Sequence, residues 1–239
     1  APQVKLPPFE GRIVGGDDAD IKDYPYQLSL LLHDRHFCGA SIIGEKWVLT
    51  AGHCVESMEP QDLTVRAGSS IINDGGQVIQ VKAYYRHPKF SYQTIDYDMA
   101  LLELQEPIKF NDFASPIKLV EANSKVVNGE QATISGWGTT FENAHVLPQH
   151  LQAARVDIIS IAQCRMFYGD DVISDRMLCA GYPEGGVDSC QGDSGGPLVV
   201  DGKLAGIVSW GYGCAEPRLP GIYSDIGSMR DFVTEISGI

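Results

Sequence analysis

The sequence predicts an all-β fold finished by a C-terminal helix. Three observations lead there: short apolar runs at close spacing, turn signals between them, and strong helical periodicity only at the end of the chain. The run Val78 to Tyr85 largely alternates apolar and polar residues, and Ala100-Leu-Leu-Glu-Leu104 is a compact apolar run. Leu198-Val-Val200 and Leu204 to Ser209 flank Asp201-Gly202, the dipeptide that a tight hairpin favours. Ser160 to Phe167 carries a weak helical pattern. Ser228 to Ile236 carries a stronger one, with Met229, Phe232, Val233 and Ile236 on one face and Ser228 with Asp231 as an expected capping pair. Strands at this spacing, without alternating helices, suggest a barrel or a sandwich.

Composition bounds the function. The chain has 239 residues, 44% hydrophobic, which is enough for a substantial core and for one or two domains. It carries 18 basic and 31 acidic residues, net −13, so no general affinity for nucleic acid or anionic membrane is expected. No run approaches the ~18 apolar residues that a spanning helix requires. Residues 1–12, with Pro2, Pro7 and Pro8, read as a short non-helical leader. Any signal peptide is expected to have been removed.

The six cysteines are Cys38, Cys54, Cys164, Cys179, Cys190 and Cys214. An even count with no C-x-x-C pair points to disulfides and an oxidising compartment, not to a zinc site. Fifteen pairings are open; the sequential one closes three short loops, each adding ~3 kcal/mol in the chain-entropy model.

Gly192-Asp193-Ser194-Gly195-Gly196 is the first candidate for chemistry. Glycines around a serine let backbone amides approach a reacting carbonyl oxygen. Alone the motif is weak, and it also matches the nucleophile elbow of α/β-hydrolases, which needs a histidine after the serine. The six histidines all precede Ser194, which removes that reading. A base must come from earlier in the chain. His53 lies in Thr50-Ala51-Gly52-His53-Cys54, and Asp98 lies at the mouth of an apolar run in Asp96-Tyr97-Asp98-Met99-Ala100. A carboxylate leading into a buried strand needs a partner.

Together with Ile13-Val14-Gly15-Gly16, Ser135-Gly136-Trp137-Gly138 and Ser209-Trp210-Gly211, these motifs make the chain resemble the trypsin/chymotrypsin family of serine proteases, from Ile13 to the C-terminal helix. The resemblance implies two antiparallel six-stranded β-barrels with the site between them, and the sequential disulfides match the family pattern. It implies Ser194 as nucleophile, His53 as general base and acid, Asp98 as the carboxylate that orients the imidazole, and the Gly192 and Ser194 amides as an oxyanion hole. Asp188 falls at the floor of the family's primary pocket, where a carboxylate implies cleavage after Arg or Lys. Ser189 adds a hydrogen-bonding group at that floor. By the same resemblance, Gly211 and Gly221 match open wall positions, and Gln191, Tyr168, Trp210 and Tyr212 are expected to shape neighbouring subsites.

The same resemblance makes residues 1–12 an activation propeptide and 13–239 the protease domain. Cleavage at Arg12-Ile13 would free an amine on Ile13 to pair with Asp193; in the uncleaved form, Ser29 and His36 are expected to hold Asp193 instead. Arg12 suits a pocket floored by Asp188, so self-activation is expected. With no cysteine in residues 1–12 and Ala19 at a position where some relatives carry one, the leader should leave after cleavage. The stretch Ser69 to Gly76 offers one carboxylate, Asp74, too few for a hard cation, so neither metal nor other cofactor is expected. The style is closest to invertebrate digestive trypsins. The resulting expectation is a secreted, monomeric digestive endopeptidase of the gut lumen, acting on protein or peptide substrates and meeting protein protease inhibitors. A catalytically silent binding protein is the rival from another class, and such proteins usually lack a member of the triad.

Overall fold

The computed structural model describes residues 13–140 and 146–239; the leader, including Arg12, lies outside the described residues. After a two-residue strand β1 (Asp17–Asp18), the chain forms β2 (Gln27–Leu32), β3 (Arg35–Ile42), β4 (Trp47–Thr50), β5 (Leu63–Ala67), β6 (Gln77–Arg86) and β7 (Ala100–Leu104). These six strands close into an antiparallel barrel in the order β2-β3-β4-β7-β6-β5. Closure removes the exposed edges that such short strands would otherwise present. Leu28, Leu30, Val48, Leu49, Val65 and Leu101 fill its interior.

The second half repeats the architecture. Strands β8 (Gln131–Gly136), β9 (Gln152–Ile159), β10 (Met177–Gly181), β11 (Pro197–Val200), β12 (Lys203–Trp210) and β13 (Gly221–Asp225) run β9-β10-β13-β12-β11-β8. The β8–β9 pairing closes that ring, and β1 adds to β9 from outside. Its core contains Ile134, Val156, Leu198, Val208 and Tyr223, and Ile13 is wholly buried among them. Asp201 and Gly202 join β11 to β12, both at positive φ (47° and 71°) as a two-residue hairpin requires.

Helix α1 (Ile161–Tyr168) confirms the weaker helical reading, and the Ser160 hydroxyl caps it by accepting from the Gln163 amide at 3.2 Å. Helix α2 (Ile226–Ser237) starts earlier than the expected capping pair. Asp225 precedes its first turn, so Ser228 lies inside the helix and its hydroxyl donates to the Asp225 carbonyl at 2.9 Å. The apolar face reads as expected: Met229, Phe232 and Val233 are buried, and Ile236 packs beside them against the first barrel. The second half of the chain is thus pinned to the first by an amphipathic contact. Among the described residues, no helix is long and apolar enough to cross a membrane.

Candidate active site

The candidate residues come from both barrels. His53 sits in a short 3-10 turn (Gly52–Cys54) directly after β4, and Asp98 sits just ahead of β7. Strands β4 and β7 are paired, Thr50 opposite Ala100, which brings the two ends together. The disulfide Cys38–Cys54 ties that turn to β3. His53 Nδ1 donates to Asp98 Oδ2 at 2.8 Å, and the His53 amide donates to Asp98 Oδ1 at 2.7 Å. One carboxylate therefore fixes both ring and backbone of the histidine. With Nδ1 donating, the neutral ring leaves Nε2 as its acceptor.

Asp98 is 1% exposed, and a buried carboxylate demands full hydrogen bonding. The second barrel provides it. Ser209 Oγ, near the end of β12, donates to Asp98 Oδ2 at 2.6 Å, and Ser224 Oγ of β13 donates to the Asp98 carbonyl at 2.6 Å. Neither serine is singled out by sequence reasoning as a partner of Asp98. Each is more than a hundred residues away in sequence, and only the barrel-to-barrel packing brings them there; Ser209 lies within a noted motif, whereas nothing local marks Ser224.

Ser194 occupies the loop that leads into β11. Its carbonyl accepts from the Gly39 amide at 2.7 Å and lies 3.5 Å from Cys54 Sγ, which itself stands 4.0 Å from His53 Nε2. The structure draws no hydrogen bond between Ser194 Oγ and His53 Nε2. Such contacts are often long in the unliganded state and tighten around substrate. Gly195 (φ 83°) is pressed against Gly39 and Thr50, so a β-carbon there would collide with both. Asp193, Gly195 and Gly196 each donate their amides to a carbonyl, whereas the Gly192 and Ser194 amides donate to no protein acceptor among the described residues. Two unspent donors flanking one residue are suited to a developing oxyanion.

The expectation that His36 holds Asp193 is not met. His36 Nε2 contacts the Gly192 carbonyl at 2.9 Å and Nδ1 contacts Ser29 Oγ at 2.7 Å. A carbonyl only accepts, so Nε2 carries the proton and Ser29 donates to Nδ1. The Asp193 carboxylate instead accepts from the Gly138 amide at 2.8 Å and the Cys190 amide at 3.0 Å. Its burial pushes the Asp193 carboxyl up to about 7, although those two amides pull the other way. Gly138 is close enough that any β-carbon would strike this carboxylate.

Beside Ser194 lies a cavity of about 180 Å³ lined by Asp188, Ser189, Trp210, Gly211 and Gly221. The disulfide Cys190–Cys214 bridges its walls. Asp188 is 3% exposed. It accepts from the Ser189 amide at 2.8 Å and the Ala215 amide at 3.1 Å, and its own amide donates to the Val14 carbonyl at 3.2 Å. Among the described residues no cationic side chain pairs with it. Desolvation pushes the Asp188 carboxyl up to about 7, with the two amides opposing. A β-carbon on Gly221 would come 2.5 Å from Asp188 Oδ1, so glycine keeps the floor open. Gln191, exposed at the rim, donates from Nε2 to Cys214 Sγ at 3.4 Å. Tyr168, Trp210 and Tyr212 form one aromatic group, centroids 5.4–5.6 Å apart.

The six cysteines form the three sequential disulfides, 38–54, 164–179 and 190–214. The cluster of Cys38, His53 and Cys54 consists of a disulfide and a histidine already engaged by Asp98, which leaves no thiolate for a metal.

Known proteins are similar to this chain in sequence. The family model described as Trypsin matches residues 13–233. Trypsin 5G1 of Aedes aegypti is 48% identical over 231 residues, 96% of this chain and 86% of that protein. A trypsin of Phaedon cochleariae is 41% identical over 98% of this chain and 91% of its own length. The vitellin-degrading protease of Bombyx mori is 44% identical over 94% of this chain and 85% of its own length.

Proposed function

The chain belongs to the trypsin family of serine endopeptidases, and from that premise we propose that it is a secreted proenzyme that, once cut at Arg12-Ile13, hydrolyses peptide bonds after Arg or Lys. Residues 1–12 are the activation peptide and residues 13–239 the protease domain. Ser194 Oγ attacks the scissile carbonyl and His53 Nε2 takes its proton. His53 then passes that proton to the leaving amine, and a water repeats the sequence on the acyl-enzyme. Asp98, held at 2.8 Å from Nδ1, keeps the ring in the productive tautomer and stabilises the imidazolium. The Gly192 and Ser194 amides receive the oxyanion, each donor contributing ~3–4 kcal/mol.

The observation that carries the specificity is Asp188: a carboxylate 3% exposed, lining a cavity that Ser194 also lines, with amide donors but no cationic partner among the described residues. A guanidinium or ammonium supplies the missing charge, whereas an apolar side chain leaves the carboxylate desolvated and unmatched. Ser189, Gly211, Gly221, Trp210 and Gln191 complete the pocket and its rim. Digestion of dietary protein in a gut lumen is the role we assign, from the resemblance to invertebrate digestive trypsins; the relatives named as trypsins support the activity that this role needs. The second reading is a storage-protein protease, favoured by the relative named for degrading vitellin.

The test treats the purified chain with a trace of trypsin, repurifies it, and assays matched Arg, Lys and Phe chromogenic peptides beside a Ser194→Ala control. Activity on the Arg and Lys peptides that appears only with a new Ile13 N-terminus, and is absent from the control, supports the proposal. Correctly cleaved wild-type protein that stays silent on every peptide rejects it in favour of a binding role.

A further inference from the structure

The segment that carries Asp98 is held in an unfavourable backbone conformation. Ile95 (φ 50°) and Tyr97 (φ 53°) are both left-handed, which is costly for a β-branched or bulky residue. Between them stands Asp96. Beyond them the Met99 amide turns back to the Tyr97 carbonyl at 2.8 Å, so Asp98 sits at the apex of a three-residue turn. Such a turn persists only where its surroundings over-determine it.

The surroundings that do so belong to the other barrel. Arg176, immediately before β10, grips Asp96 through two bonds, Nη2 to Oδ2 at 2.5 Å and Nε to Oδ1 at 3.2 Å. Ser174 Oγ donates to Asp96 Oδ1 at 2.6 Å, and the Tyr97 amide donates to the same oxygen at 2.9 Å. The Arg176 guanidinium also lies 4.6 Å from the centre of the Tyr97 ring, whose stacking partner is His87 at 4.7 Å. Arg176 is itself anchored, because its carbonyl accepts from the Asp225 amide at 2.8 Å. The neighbour of Asp225, Ser224, donates to the Asp98 carbonyl. One strand pair of the second barrel therefore reaches the Asp98 turn at two points.

We infer that Arg176 and Asp96 form a positioning clamp that sets the Asp98 carboxylate, and through it the His53 ring, from across the barrel interface. The inference rests on the triad proposed above. The pair is more than a surface salt bridge: the fork of guanidinium on carboxylate fixes direction as well as distance. Burial raises the Asp96 carboxyl, yet Arg176, Ser174 and the Tyr97 amide together hold it below the ordinary carboxylate range, which favours its charged form beside Arg176. Neither residue touches the cavity floored by Asp188, so loosening the clamp acts on catalysis and leaves binding in the pocket alone.

The experiment compares cleaved wild-type protein with Arg176→Met, Asp96→Asn, the double variant, and Arg176→Lys. Each is measured for kcat and KM on an Arg peptide, for inhibition by benzamidine, and for the rate at which a small fluorophosphonate labels Ser194. The single variants are expected to lose about ten- to a hundredfold in kcat and in labelling rate, the scale of a misplaced catalytic group. KM and benzamidine inhibition should stay within about twofold of wild type, the signature of an interaction that serves only the transition state. The double variant should be no worse than the poorer single one, and Arg176→Lys should recover part of the loss. Unchanged kcat and labelling with only a lowered Tm would overturn the inference, as would a parallel loss of benzamidine binding. If Arg176→Met fails to fold, Asp96→Asn and Arg176→Lys keep the test intact. An inactive wild type would instead fail the proposed function.

Discussion

The His36 imidazole donates from Nε2 to the Gly192 carbonyl at 2.9 Å while its Nδ1 accepts from Ser29. A buried ring of the first barrel thus fixes, on its carbonyl side, the residue of the second barrel whose amide has no acceptor among the described residues and is proposed to receive an oxyanion. Burial lowers the His36 pKa to about 4, despite its bond to Gly192. The ring therefore stays neutral in the folded protein when an unfolded chain would already be charged. His36→Phe leaves the Gly192 carbonyl without its donor, an unsatisfied group costing ~1–3 kcal/mol of stability. It should also lower kcat by at least about tenfold with little change in KM, part of what losing an oxyanion donor costs. Denaturation midpoints and steady-state kinetics check this; an unchanged kcat contradicts it.

Asp188 and Asp193 are both pushed up to about 7 from an ordinary value of 3.8. Between those values the folded protein keeps two protons that the unfolded chain gives up. Their contribution to stability is therefore fully present below about 4 and lost as pH rises through about 7. His36 acts oppositely, losing stability as pH falls from 6.5 to about 4, but one imidazole is outweighed by two carboxyls. In the uncut chain, Asp188→Asn should make the slope of stability against pH between 4.5 and 6.5 more positive by ~1.4 kcal/mol per unit. Urea titrations across that range read it directly, and parallel slopes for variant and wild type reject it.

Specificity should collapse with the pocket carboxylate. Asp188→Ser would remove one partner of the proposed buried ion pair with the substrate, a loss of ~3–5 kcal/mol. That corresponds to roughly a hundred- to several-thousandfold in kcat/KM on Arg and Lys peptides. For the wild-type enzyme, benzamidine should bind more weakly as pH falls below about 7, because the empty-pocket carboxyl is then protonated. Inhibition constants that do not change between pH 5 and 8 would contradict the raised pKa of the Asp188 carboxyl.

The proposed activation would supply a new charge. Asp193 is wholly buried with two amides and no cation among the described residues, and Ile13 is buried in the adjoining core. An α-amine generated at Ile13 is ionised below its ordinary range near ~8, and higher when paired with a carboxylate. Cleaved enzyme should therefore lose activity in alkali above that pKa, and cyanate treatment of the new N-terminus should silence it. A profile flat to pH 11 contradicts the pairing.

Much of the fold was legible in the sequence because local patterns specify it. Ala100-Leu-Leu-Glu-Leu104 is β7 as read, Asp201-Gly202 is the hairpin turn, and the apolar stripe of α2 packs as its spacing implies. The helix start was misread because Ser228 has the chemistry of a cap but stands one turn inside, behind Asp225. His53, Asp98 and Ser194 stand out as candidates in local motifs, whereas Asp188 becomes a candidate only through the family resemblance. Ser224, Ser209 and Arg176 were not read as supports, because their relation to Asp98 and Asp96 exists only once two barrels pack together. His36 was noticed but assigned the wrong partner: the choice between Asp193 and Gly192 depends on where the carboxylate finds amides, and the Gly138 and Cys190 amides take it.

The most direct test of the central claim is a digest. Cleaved protein is incubated with a denatured mixture of unrelated proteins and the new C-termini are read by mass spectrometry. The account predicts that nearly all cuts follow Arg or Lys, and that Ser194→Ala, treated identically, produces none. Cuts that follow aromatic or aliphatic residues, or cleavage that survives the loss of Ser194, would contradict it.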